Sequence, residues 1–232
     1  PHNQLGDMLA GVSLFRAVKE KYPQSHLTLL SSVDNYYGVI KNKFIDELIV
    51  FDKRKMFNPF EFIKFFKKIR KNFDLAIVPA TVSISFTSGL IARLSDSRIR
   101  IGPRSLDGKV NESNFLFDRR VDIDWRRYPD SNVSEHILEI VRPFGIDTND
   151  ISSQISFDED DLTVAEAFLS DIKLNPEAKI VGLHVGAGKP ANRWSLINYV
   201  ELIKKISDNY ECIFYLTGSN SDKDEIDFVT RN

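Results

Sequence analysis

The chain has one cysteine, Cys212, so an intrachain disulfide framework is impossible; its place in the apolar run CIFYL points to a buried, reduced thiol. It lacks any run of about 18 apolar residues, which excludes a transmembrane helix, and its first residues show no secretory-signal pattern, which favours the cytoplasm. Four scattered histidines (His2, His26, His136 and His184) share no metal-ligand spacing with the cysteine, so no metal site is expected. Neither a Gly-x-Ser-x-Gly elbow nor a Gly-x-Gly-x-x-Gly fingerprint is present, and no cofactor is expected. A net charge of −2 gives no reason to expect nucleic acid.

What is present suits globular folding: 232 residues of which 42% are hydrophobic. Charge is unevenly divided, +4 over residues 1–155 and −6 over 156–232, which suggests two domains facing different partners. Apolar periodicity switches repeatedly between strand-like and helix-like, the pattern of a wound parallel α/β fold. Helices are expected over 7–22, 35–41, 59–71, 83–94 and 134–144, with strands at 26–31, 47–51, 75–79 and 98–102. Residues 103–114 read as a loop, and polar DTNDISSQ (147–154) as a linker. Beyond it come helix 159–173, strand 179–185, helix 195–208, strand 212–218 and helix 222–231, too few elements for a complete doubly wound domain. The opening at Pro1 and the stop at Asn232 read as a fragment.

The stretch VGLHVGAGKPANRWS (181–195) runs a strand into a glycine turn and two cations. Backbone N–H groups of Gly186, Ala187 and Gly188 could approach an anion closely, a following helix N-terminus would add its dipole, and Lys189 and Arg193 would supply charge for a diphosphate. A Walker A loop is disfavoured, because Leu183 stands where its first glycine belongs and Pro190 follows the lysine. The alternative is a plain strand-to-helix turn with Trp194 capping the core.

At the other end, Gly6 and Asp7 open the first amphipathic helix, where Asp7 could serve as N-cap or as general base. In FNPFEFIKFFKKIRK (57–71), Phe62, Phe65, Phe66 and Ile69 recur at core spacing. Lys64, Lys67, Lys68 and Lys71 lie opposite, either a solvated face or, with Lys53, Arg54, Lys55, Phe57 and Phe60, a contact for anionic lipid. Asp122 and Asp124 read as the exposed face of a strand, and DEDD (158–161) as a dipole-favoured first turn.

These residues, in this order, resemble glycosyltransferase family 9, the bacterial heptosyltransferases of lipopolysaccharide core assembly. The resemblance rests on Gly6-Asp7 before a helix ending near Pro23, a strand and turn at Arg100, Ile101 and Gly102, Gly145-Ile146, HVGAGKPANRW, and Thr217-Gly218. It implies a GT-B architecture of two Rossmann-like domains with parallel sheets: an acceptor domain over 1–155 and an incomplete nucleotide-sugar domain over 156–232, with chemistry in the cleft. It further implies inverting transfer from a nucleotide-sugar, ADP-heptose in this family, to a lipopolysaccharide core acceptor. Asp7 would then be the base, with Asn3, Gln4 and Gly6 on the acceptor side. Gly186, Ala187, Gly188, Lys189, Arg193, Trp194, Thr217, Gly218 and Asp222 would bind the donor, Asp222 at the ribose. Peripheral contact with the cytoplasmic face of the inner membrane fits such an acceptor. Asn192 departs from the family's lysine, and a downstream Asp-x-Gly-x-x-His region is absent, so this length alone is not expected to turn over. The competing readings are a non-catalytic module binding nucleotide diphosphate and glycan, and a GT-B transferase using another nucleotide-sugar.

Overall fold

The first helical stretch is broken by glycine: α1 (Leu5–Ala10) and α2 (Val12–Lys21) meet at Gly11, whose N–H donates to the carbonyls of both Asp7 and Met8. The structure is a computed structural model that describes residues 5–80, 83–171 and 179–232. Two faces of this rod are apolar. Val12 and Phe15 pack with Val39 and Leu29, whereas Ala10, Leu14 and Ala17 join Ile101, Ile123 and Ile137. The rod stops at Tyr22, because Pro23 disfavours helical geometry in the residue before it.

Apolar runs flanked by turns then form parallel strands, with helices covering them. β1 (Thr28–Ser32) pairs in parallel with β2 (Glu47–Phe51), and α3 (Pro59–Ile69) buries Phe65 and Ile69 against Ile49. β3 (Leu75–Ile77) leads to α4 (Phe86–Leu94) and pairs in parallel with β4 (Ile99–Leu106). β5 (Lys109–Val110) returns antiparallel on β4, and β6 (Arg119–Ile123) adds in parallel.

The expected loop over 103–114 is therefore largely strand and hairpin. Asp107 and Gly108 take φ of +52° and +78°, the left-handed pair that a tight two-residue turn requires. The expected turn at Arg100, Ile101 and Gly102 is likewise the middle of β4. Ile101 is core, and a Cβ at Gly102 would fall 2.4 Å from the Phe117 ring, so the glycine makes room for that ring.

Further on, α5 (Val133–Leu138) gives way to a 3₁₀ turn (Arg142–Phe144) at Pro143, and Gly145, at φ +70°, ends it. The polar segment 147–154 is docked rather than free. Arg16, 4% exposed, donates to the carbonyls of Asp150 and Ser152 and pairs with the Asp150 carboxylate at 3.2 Å.

The chain divides into two compact units, residues 1–158 and 159–232. In the second, α6 (Glu159–Asp171) opens on three acidic residues, as its dipole favours. β7 (Lys179–His184) pairs in parallel with β8 (Cys212–Thr217), where Tyr215 lies over its register partner Gly182. α7 (Leu196–Ser207) and α8 (Lys223–Arg231) close a small core of Val185, Val200 and Val229. Among the described residues no helix is long and apolar enough to cross a membrane.

Candidate functional site

In the first unit, β1 and β3 do not pair with each other among the described residues, and both border a cavity of about 1800 Å³. Ligands of parallel α/β sheets bind beyond the carboxyl ends of the strands, and here that end is lined by Ser32, the last residue of β1, by Asn35 just beyond it, and by Val78 and Pro79 after β3. Asp7 lines the same cavity. It is the third residue of α1, inside the helix, so the N-cap reading is not what the fold adopts.

Among the described residues three buried polar atoms on this wall have no hydrogen-bond partner: Asp7 Oδ2, Ser32 Oγ and Asn35 Oδ1. A buried polar atom without a partner costs roughly 1–3 kcal/mol, so three on one wall mark a surface shaped for a polar ligand. Asn35, 7% exposed, starts the 3₁₀ turn Tyr36–Gly38, on which Leu5 and Leu9 of α1 rest beside Gly38. Sequence reading passed over Ser32 and Asn35. Their signal was position alone, two polar residues at and just past the carboxyl end of a parallel strand. Gly6 is exposed with open space at its Cβ position, and Asn3 and Gln4 lie outside the described residues.

In the second unit the Gly186–Gly188 turn does follow β7, but a 3₁₀ turn (Pro190–Asn192) separates it from α7, so it does not run straight onto that helix's N-terminus. The turn is held by carboxylates. Asp222, 5% exposed, accepts from Ser219 N–H at 2.8 Å and Ser219 Oγ at 2.6 Å, and it faces Arg193 at 3.5 Å. Arg193 also donates to Ala187 O at 3.2 Å and pairs with Glu225. Two glycines make room for Asp222: a Cβ at Gly186 would lie 2.4 Å from its carboxyl carbon, and one at Gly218 would lie 3.1 Å from its Cβ.

Two expected donor residues are thus occupied within the protein. Lys189 is exposed and has no ion-pair partner among the described residues, so it is the cation at the turn open to a ligand. The Thr217 hydroxyl contacts His184 Nδ1 at 3.0 Å. Trp194 stays half-exposed, its ring edge-on to Tyr199 at 4.9 Å, so it does not cap a core. The acidic pairs read as structural also have partners. Asp122 on β6 is drawn down to about 2 by hydrogen bonds from Arg104 and Ser105, and Asp124 is paired with Arg126.

The Ser219 hydroxyl and backbone N–H, aided by Arg193, hold the Asp222 carboxyl below its ordinary value. A lowered folded value stabilises the fold above the unfolded value of about 3.9, and that contribution is lost as pH falls through the folded one. Acid melting of the chain is therefore expected to steepen below about pH 4, with part of that fall missing in Asp222→Asn. Identical acid limbs in the two proteins would remove Asp222 from this role.

A family model described as glycosyltransferase family 9 (heptosyltransferase) matches residues 62–230. No curated protein sequence matches the chain. Among solved structures, the glycosyl transferase family 9 protein of Veillonella parvula DSM 2008 superposes with a TM-score of 0.79 at 17% identity, covering 99% of this chain and 64% of that one. ADP-heptose lps heptosyltransferase II of E. coli gives 0.72 at 22% identity, covering 98% and 65%. E. coli heptosyltransferase WaaC with ADP gives 0.69 at 14% identity, covering 99% and 70%. The chain thus spans just under two thirds of the length of the first two, and the likeness assigns its parallel α/β units to the GT-B fold. With more than half of its residues matched by the family model, the chain belongs to glycosyltransferase family 9.

Proposed function

We propose that this protein is an inverting glycosyltransferase that moves a heptose-like sugar from a nucleotide diphosphate to a lipopolysaccharide core acceptor, with Asp7 as general base. The observation that carries this reading is the buried Oδ2 of Asp7, without a hydrogen-bond partner among the described residues and on a cavity wall shared with two other such polar atoms. Such an oxygen is free to take a proton. In the reaction the acceptor hydroxyl oxygen bonds to the anomeric carbon of the donor and its proton passes to Asp7. The bond from that carbon to the diphosphate breaks, the electron pair leaves with the nucleoside diphosphate, and the anomeric configuration inverts.

Ser32 and Asn35 then meet acceptor hydroxyls, an acceptor side shared with Gly6. On the donor side, the N–H groups of Gly186, Ala187 and Gly188 and the Lys189 ammonium face the leaving diphosphate, as preorganised donors for developing charge. Trp194, Thr217 and Gly218 complete that side, while Arg193 and Asp222 brace the turn. ADP-heptose is the donor to test first, given a family whose E. coli members are described with ADP and as ADP-heptose transferases. A purely binding module could use the same carboxylate oxygen to accept from a ligand hydroxyl, so release of the nucleoside diphosphate is what separates the two readings.

The test supplies the full-length protein with ADP-, UDP- or GDP-linked sugars and a lipopolysaccharide core acceptor. Nucleoside diphosphate release is measured, and the new linkage is read by NMR. Release with an inverted anomer is expected. Retained configuration would overturn the single-displacement chemistry, and tight diphosphate binding without release from any donor would leave a binding module.

A further inference from the structure

We propose that the face formed by residues 53–68 docks this protein on an anionic lipid bilayer. Ahead of α3, a 3₁₀ turn (Lys55–Phe57) leaves Phe57 92% exposed, and the first turn of α3 leaves Phe60 82% exposed. Their backbone is not loose. Asn58 caps α3 by accepting from Phe60 N–H at 2.9 Å, and Pro59 fixes the first helical position.

The core side of α3 is already served by Phe65 and Ile69, so the outer residues have no packing role in the unit. Phe60, Ile63, Lys64 and Lys67 fall at helical spacings of three and four, which puts them on one outward stripe. Ile63 is 52% exposed. Large apolar side chains standing clear of a monomer's surface mark a partner.

The charge says which partner. Lys53, Arg54, Lys55, Lys64, Lys67 and Lys68 are all exposed, and none has an ion-pair partner among the described residues. Neighbouring Arg70 and Lys71, by contrast, are tied to Asp96 and Glu47. Within 53–68 the one acidic side chain is Glu61, with Asp52 just ahead of the stretch. Aromatic wedges surrounded by unneutralised cations on long stems fit the interface of a bilayer, where rings enter the acyl boundary and ammonium groups reach phosphates. A soluble polyanion would satisfy the lysines and leave Phe57 and Phe60 in water.

Lys53 and Arg54 also border the cavity that holds Asp7, so the docking face and the cavity mouth are contiguous. This gives a lipid-anchored acceptor a direct route, a consequence that rests on the proposed transfer reaction; the docking itself does not.

The test is flotation of the chain with phosphatidylcholine vesicles containing either no anionic lipid or 30 mol% phosphatidylglycerol, a proportion of roughly one lipid in three. Binding to the anionic vesicles is expected to be at least about tenfold tighter and to weaken with salt. Phe57→Ser with Phe60→Ser, and separately Lys64→Glu with Lys67→Glu, are each expected to reduce it about tenfold or more. All four positions are exposed, and unchanged circular dichroism and melting would show the variants folded. Binding indifferent to anionic lipid overturns the proposal. So does loss on charge reversal with none on removing the phenylalanines, which would describe a face for a soluble polyanion.

Discussion

Replacing Asp7 by asparagine is expected to lower the turnover of the full-length protein by about 10²- to 10⁴-fold, the usual contribution of a positioned general base. Asparagine keeps the shape and hydrogen-bonding reach of aspartate but cannot accept the acceptor's proton. Because Oδ2 has no partner among the described residues, the change breaks no hydrogen bond seen at that atom and should leave melting nearly unaltered. Donor binding, read by calorimetry with ADP, should also be preserved, so the loss falls on kcat. A variant with kcat within threefold of the parent, roughly 0.7 kcal/mol of barrier, would eliminate Asp7 as the base.

The second large effect is expected at the turn after β7. Alanine at Gly186 would place a Cβ 2.4 Å from the Asp222 carboxylate, which is held by Ser219 and Arg193 and cannot simply swing away. Forcing a methyl into such a site costs about 1–3 kcal/mol, a serious loss for a unit with so small a core. Melting of the whole chain should show a destabilised transition, and ADP affinity should fall with the distorted turn. Gly188→Ala is the control, since nothing lies within 4 Å of its Cβ position. It should melt like the parent, and weaker ADP binding in it would indicate close approach of the diphosphate. If Gly186→Ala melts like the parent too, the steric account of this glycine fails.

The alternation of parallel strands and helices was legible in the apolar runs, down to the bounds of β2, because buried parallel strands need continuous hydrophobic stretches. The β4–β5 hairpin was not, although Asp107-Gly108 is a strong turn signal. Its strands carry Arg104, Lys109 and other exposed polar residues that read as loop. The docked segment 147–154 misled for a similar reason, since polar composition suggests a linker until the buried Arg16 on a distant helix supplies its partner. Within the candidate site, Asp7 stood out through its place beside Gly6. Ser32 and Asn35 carry no spacing of their own, and the fit of Asp222 into the space at Gly186 joins residues that no local pattern connects.

The strap held by Arg16 also has a consequence for the order of assembly. Its partner carbonyl on Asp150 lies 134 residues downstream, and Ser13 of the same helix donates to Ser134, 121 residues downstream. At roughly 5–20 residues per second of synthesis, the rod bearing Asp7 waits on the order of ten seconds before those acceptors leave the ribosome. During that interval the Arg16 guanidinium and the Ser13 hydroxyl, both buried in the finished fold, stay hydrated, although the face carrying Val12 and Phe15 can already meet Leu29 and Val39. Such long-range closure slows folding, so the Arg16 side of this helix becomes native only after Ser152 has emerged.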